Sequence, residues 1–192
     1  MRKSSFVTLV VLAGLVIQIA ACEKANVMHR IGAAGPGGGK VFYYSKKGWT
    51  MSDTGKICHY LEAASGDMST SLAWATPDYY YKNIPGTETA IGAGRKNTDL
   101  ILAEDADAPA AKACRDYRGG GKTDWFLPSK DELDLLYKNK ASVGNMGSNW
   151  YWSSSQYSNY RGSLAWRQGF GSGDQDGYGK NYAILVRAIR AF

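Results

Sequence analysis

The 192-residue chain opens with an apolar run from Phe6 to Ile19 and then passes into the short alternations of a folded domain. Val41 to Tyr44, in "GGGKVFYY", predicts a strand fed by a glycine-rich turn, with "GWTM" as its returning partner. Between Lys56 and Ala64, the apolar positions Ile57, Tyr60, Leu61 and Ala64 share one face at helical spacing, which predicts a helix. "SLAWAT" predicts a short strand, and Pro77 to Gly86 a tyrosine-rich loop. "NTDLILAE" and "APAAKACRDYR" predict a helix interrupted near Pro109 and ended by Gly119 to Gly121. In "DWFLPSKDELDLLYKNK", Ser129 and Glu132 have the spacing of a capping box just after Pro128. Leu133, Leu136 and Tyr137 then form an inward stripe. "NWYWSSS", Leu164 to Phe170, and Ile184 to Ile189 predict late strands. With helices early and strands clustered late, the pattern predicts an α+β fold.

The opening run changes the picture of what folds. Arg2 and Lys3 precede it, and "IAAC" ends it at Cys22. The run is short for a membrane span and has the anatomy of a secretory leader. Cys22 after small residues is a lipidation site in this reading. Residues 1–21 are then a lipoprotein signal peptide, 22–30 a tether and 31–192 one domain. The expected location is the bacterial cell envelope, with the lipid anchor displaying the domain at its outer surface. Loss of Arg2 and Lys3 lowers the net charge from +6 to +4. No Lys/Arg stripe accompanies it, so nucleic acid is not an expected partner.

Candidate chemistry changes less. Export implies oxidising surroundings, and Cys58 and Cys114 remain after Cys22. One disulfide between them is the simplest accounting, and two separate buried thiols the alternative. His29 and His59 lack zinc-finger spacing to them, so no metal is expected. "GGGK" at Gly37 to Lys40 and "GGGKT" at Gly119 to Thr123 lack the phosphate-loop glycine and predict turns. Ser153 to Ser155 have no nucleophile-elbow glycines. No cofactor is expected.

The segment before the last strand has a different composition. Of the 26 residues from Tyr157 to Tyr182, 19 are Tyr, Ser, Gly, Asn, Asp or Arg. This is the vocabulary of antibody loops: stiff aromatic contact area, adaptable hydrogen bonds and free backbone turns. "NWYWSSS" and "AILVRAIRAF" pin its ends, so it is expected to be presented on the fold rather than left loose.

"TDWFLPSKDELDLLY", "YWSSS" and "VRAIRAF", with "GPGGGKVFYY", "YLEAA", "IGAGRKNTDLI" and "AAKACRDYRGGGKTDWFLPS", resemble the Lcl C-terminal-domain-like family across about residues 31–192. Members of that family also occur as variable proteins of diversity-generating retroelements. The resemblance implies a C-type-lectin-like fold, with two main helices and a small mixed or antiparallel sheet whose late strands display a ligand face. "W-x-LPS-x-x-E" is also similar to the sulfatase-modifying branch of that fold. Those enzymes use a late cysteine pair, and this chain has no cysteine after Cys114, so a binding protein is expected rather than an enzyme.

In retroelement-diversified proteins, adenine-directed copying turns an AAY codon into any NNY codon, which excludes Met, Trp, Lys, Glu and Gln. From Tyr157 to Tyr182 the excluded types are Trp166, Gln168, Gln175 and Lys180. Family members keep a Trp, Gln and Lys framework in this segment. The variable ligand-binding region is therefore expected at about 156–182. Tyr157, Asn159, Tyr160, Arg161, Arg167, Asp174, Asp176, Tyr178, Asn181 and Tyr182 are its candidate contacts, for a protein or glycan ligand on another cell or host. A non-diversified adhesin for sulfated glycans, using Arg161, Arg167 and Lys180, is the alternative.

Overall fold

The computed structural model describes residues 28–69, 71–158 and 160–192. The expected leader and Cys22 lie outside them. The architecture is α+β, with small antiparallel sheets and short helices. β1 (Lys40–Thr50), β2 (Ile57–Ala63) and β8 (Ile189–Ala191) form one sheet with β2 central. β3 (Leu72–Ala73) pairs with β7 (Ala183–Ile184), and β4 (Trp150–Gln156), β5 (Leu164–Gly169) and β6 (Gln175–Gly179) form the third sheet in that order. The helices are α1 (Gly94–Glu104), α2 (Pro109–Asp116), α3 (Lys130–Lys138) and α4 (Lys140–Val143).

The helix expected over Lys56 to Ala64 is strand β2. Its pairings, Thr50↔Ile57 to Lys40↔Ala63 on one side and Leu61↔Ala191 to Ala63↔Ile189 on the other, put it between the start and the end of the chain. "ICHYLEA" can adopt either period locally, and the two distant partners decide for the strand. "GWTM" is not a returning strand either, since Gly48 to Thr50 complete β1 itself. The closing strand expected over Ile184 to Ile189 divides between β7 and β8, which belong to different sheets.

Local signals were followed more closely. Pro109 opens α2 as a separate helix at the first helical position, where its missing N–H costs nothing. Both halves of the Ser129/Glu132 capping box form at α3. Leu133 and Leu136 are buried, and Tyr137 packs on Phe170 edge-to-face at 5.6 Å.

Two apolar interiors result, assembled within residues 42 to 191. One holds Trp74, Ile101, Cys114, Trp125, Trp152 and Val186; the other Phe42, Cys58, Leu61, Phe126, Leu136, Tyr151 and Ile189. Extended backbone sends neighbouring side chains to opposite sides. Trp125 and Phe126 thus enter different interiors, as do Tyr151 and Trp152. The expected Cys58–Cys114 disulfide is overturned for the same reason: both thiols are free, buried, and in different interiors.

Charges tie the terminal strand down. Arg190 bonds buried Glu62 at 2.6 Å and grips Asp124 with two nitrogens at 2.8 and 2.9 Å. Arg187 reaches Asp67 at 2.7 Å and the Ala64 and Asn145 carbonyls. The glycine-rich turn before β1 wraps this knot, with Gly37 N–H donating to Glu62 at 2.8 Å. At Gly39 a Cβ would stand 2.2 Å from the Ala63 carbonyl oxygen, so backbone approach alone demands glycine.

Candidate functional site: the outer end of the β4–β5–β6 sheet

Register decides which side chains meet on this sheet. Trp152, Arg167 and Asp176 are directly opposite on adjacent strands, as are Ala165 and Tyr178, so all five share a face. Trp150, two residues before Trp152, joins them. Trp152 and Ala165 are buried under the loop before β3 and the β3–β7 ribbon, with Trp152 Nε1–H donating to the Leu72 carbonyl at 2.9 Å. The outer end is left open.

There the Arg167 guanidinium lies between two rings, 3.9 Å from the Trp150 centroid and 3.6 Å from that of Tyr178. Asp176 accepts from Nε at 2.7 Å and from Nη2 at 3.2 Å, fixing the plane of the fork. Tyr182 stacks on Tyr178 at 4.6 Å and is 51% exposed. Asp174, Asp176 and Asn181 are exposed around this stack. A shallow cavity of about 240 Å³, lined by Ser71, Asn149, Trp150, Ala183, Ile184 and Leu185, adjoins it at Trp150.

The expected contacts therefore divide. Arg167, Asp176, Tyr178 and Tyr182 come together. Tyr157 goes to the reverse face, where its ring covers Gly177, meets Trp166 at 4.6 Å, and has the Lys130 ammonium 4.9 Å beyond on the same indole. Arg161 is exposed in the 3-10 turn Tyr160–Gly162, at φ 53°. Asn159 lies outside the described residues, as does the Tyr160 side chain. Gly162 holds the turn against the tyrosine-rich loop between β3 and α1: a Cβ there would be 2.8 Å from the Asn83 nitrogen.

The framework residues are structural anchors. Gln168, fully buried, donates to Asp134 at 3.1 Å and to the Gly173 carbonyl. Gln175 donates to the Lys130 carbonyl at 2.9 Å and to Gln168. Lys180 is buried over Trp74 and donates to the Lys82 carbonyl at 2.8 Å and to Gln156 Oε1 at 2.9 Å. Burial pushes its amine down to about 8, partly opposed by Asp105. Lys180 is thus unavailable to a sulfated glycan, and Arg167 is already paired with Asp176, so Arg161 alone of those three cations is exposed.

Sequence reasoning placed Trp150 in a late strand and did not single it out as a site residue. Its period-2 relation to Trp152, once β4 is placed, is the signal that could have found it. Among the described residues, no cluster of His, Cys, Asp and Glu could hold a metal ion.

A family model described as the Lcl C-terminal domain matches residues 63–190. No curated protein matches the chain. The match covers strands β3 to β7 and all four helices, and takes in the whole stacked face together with its buried anchors. By that match, the chain belongs to the Lcl C-terminal domain family.

Proposed function

We propose that the protein is a binding module, not an enzyme, anchored by lipid at Cys22 to a bacterial envelope and recognising a protein or glycan through the outer end of the β4–β5–β6 face. The Trp150–Arg167–Tyr178 stack carries this reading. Arg, Trp and Tyr dominate binding hot spots. Here they are immobilised before any ligand arrives, which lowers the entropy cost of binding. The exposed Tyr182, Asp174 and Asn181 around them supply adaptable contacts.

The division between anchors and exposed positions supports a diversified face. The four residues outside the NNY set between Tyr157 and Tyr182, namely Trp166, Gln168, Gln175 and Lys180, are buried or half-buried, whereas Arg161, Asp174, Asp176, Asn181 and Tyr182 are exposed. Substitution at the exposed set would change chemistry without removing an anchor. The resemblance implies a C-type-lectin-like scaffold for this arrangement.

The test is retention of the purified protein on immobilised glycans and on intact bacterial and animal cells. A Tyr182→Ala/Asp174→Ala/Asn181→Ala variant is expected to keep its melting temperature and lose retention. Unchanged retention on every surface the wild type binds overturns the assignment of the face. A reverse transcriptase gene beside a near-copy of the 3′ end, differing at adenines, is expected if the face is diversified.

A further inference from the structure

A second exposed surface lies on the β1–β2–β8 sheet, away from the stacked face in sequence and outside most of the matched region. Tyr44 and Tyr60 are directly opposite on β1 and β2, and their rings stack at 4.8 Å. Tyr60 exchanges both backbone hydrogen bonds with Phe192, and those rings stack at 5.2 Å. His29 meets Tyr60 and Phe192 edge-on at 5.4 and 5.0 Å. The ladder thus crosses three strands and reaches the segment through which the N-terminal chain enters the domain. Exposed apolar side chains concentrate in this part of the chain. Of the six large exposed hydrophobics described, Met28, Ile31, Tyr44 and Ile57 fall between residues 28 and 57, and Met28 and Ile57 are the two most exposed of those four, at 69% and 60%.

Between residues 28 and 60 its charge is mostly positive, and the two carboxylates at the β8 edge, Glu62 and Asp124, are both taken up by Arg190. Arg30, Lys40, Lys46, Lys47 and Lys56 are all exposed, and no carboxylate pairs with them among the described residues. Asp53 is the one acidic side chain between residues 28 and 60, and Arg95 occupies it. Aromatic rings that settle at the headgroup level, flanked by unpaired cations, fit an anionic bilayer surface. Cys22 stands six residues before Met28, a reach of at most about 20 Å, so a lipid there would hold this surface beside the membrane.

We propose that the Tyr44–Tyr60–Phe192 face, with Lys46, Lys47 and Lys56, docks on an anionic phospholipid surface and sets how the domain lies on its membrane. The proposal rests on the anchored reading only for proximity, and its test omits the anchor. Both interiors are built within residues 42 to 191, so a chain of residues 23–192 keeps every core residue described.

That chain is sedimented with vesicles of phosphatidylcholine containing about 30% phosphatidylglycerol, and with vesicles of phosphatidylcholine alone. Binding to the anionic vesicles is expected, with partition at least about tenfold lower for Lys46→Glu/Lys47→Glu. Tyr44→Ser/Ile57→Ser, both at exposed positions, is expected to reduce partition; loss of the Tyr44–Tyr60 stack lowers the melting temperature somewhat, and the domain stays folded at the assay temperature. No binding to anionic vesicles, equal binding to neutral ones, or variants that bind like the wild type would each overturn the proposal. So would a dimer in solution that the Tyr44→Ser/Ile57→Ser variant dissociates, because the face would then belong to a second copy. Membrane release of full-length Cys22→Ser in cells tests the lipid anchor separately, and neither result decides the other.

Discussion

The Arg167 guanidinium sits 3.6 Å from the Tyr178 ring centroid while Asp176 holds its fork from the side. Stacking needs a planar cation, and the two-point contact needs two donors. Lysine has neither the plane nor the fork. Arg167→Lys is therefore expected to behave like Arg167→Ala at the proposed binding face. Each should cost about 1 kcal/mol of stability, since Asp176 is half exposed and the pair is partly screened. Each should also weaken ligand retention well beyond that loss. Urea melts paired with cell retention check this, and full retention by the lysine variant would remove the stack from recognition.

Lys180 makes stability depend on alkaline pH. Burial depresses its folded pKa to about 8 from the ordinary 10.5. A depressed folded value favours the neutral amine, so this contribution is present above 10.5 and lost as pH falls through 8. Wild-type stability attributable to Lys180 should thus rise between pH 8 and 10.5, by on the order of 3 kcal/mol at most. Lys180→Met removes that slope, and the difference between the two pH–stability curves measures it.

Reducing agent should leave the domain unaffected. Cys58 and Cys114 are both free, and burial raises each thiol above its ordinary value. Residues 23–192 should show two thiols on unfolding, little thiol reactivity when folded, and the same melting temperature with and without dithiothreitol. A reductant-dependent melting temperature would contradict this placement.

Arg190 is the tie most costly to cut. Arg190→Ala leaves Glu62 buried with its charge uncompensated and Asp124 without its partner. Breaking one member of such a buried pair costs about 3–5 kcal/mol. The loss should be read as a fall in denaturant midpoint without a change in slope. Glu62→Gln in the Arg190→Ala background should recover part of it, because the stranded charge is then gone.

Gly39→Ala tests the turn at the start of β1. The added methyl meets the Ala63 carbonyl oxygen at 2.2 Å, in a strand that cannot yield without disturbing its pairing with β8. Destabilisation of about 2 kcal/mol or more is expected. Gly55→Ala, with no atom within 4 Å of the new Cβ but a φ of 68°, should cost less.

The parts of the fold written locally were legible. Ser129 and Glu132 cap α3 through atoms three residues apart, and Pro109 separates α1 from α2 by a property of its own ring. The candidate face was legible as a composition, and Arg167, Asp176, Tyr178 and Tyr182 do assemble there. What composition could not supply was the sheet register. That register sends Tyr157 to the reverse face, brings Trp150 onto the candidate one, and turns Lys180 inward.

The amino-acid order alone determined the α+β class, the capped helix, the turn glycines and the apolar supply for the interiors. These depend on bonds and side chains within a few residues of one another. Tertiary structure decided that "ICHYLEA" is a central strand, that two cysteines never meet, and which aromatics share a surface. Each of those outcomes is set by a partner far along the chain, β8 for β2 and Asp176 for Arg167. Local periodicity carries no information about which distant strand will arrive, or in which register.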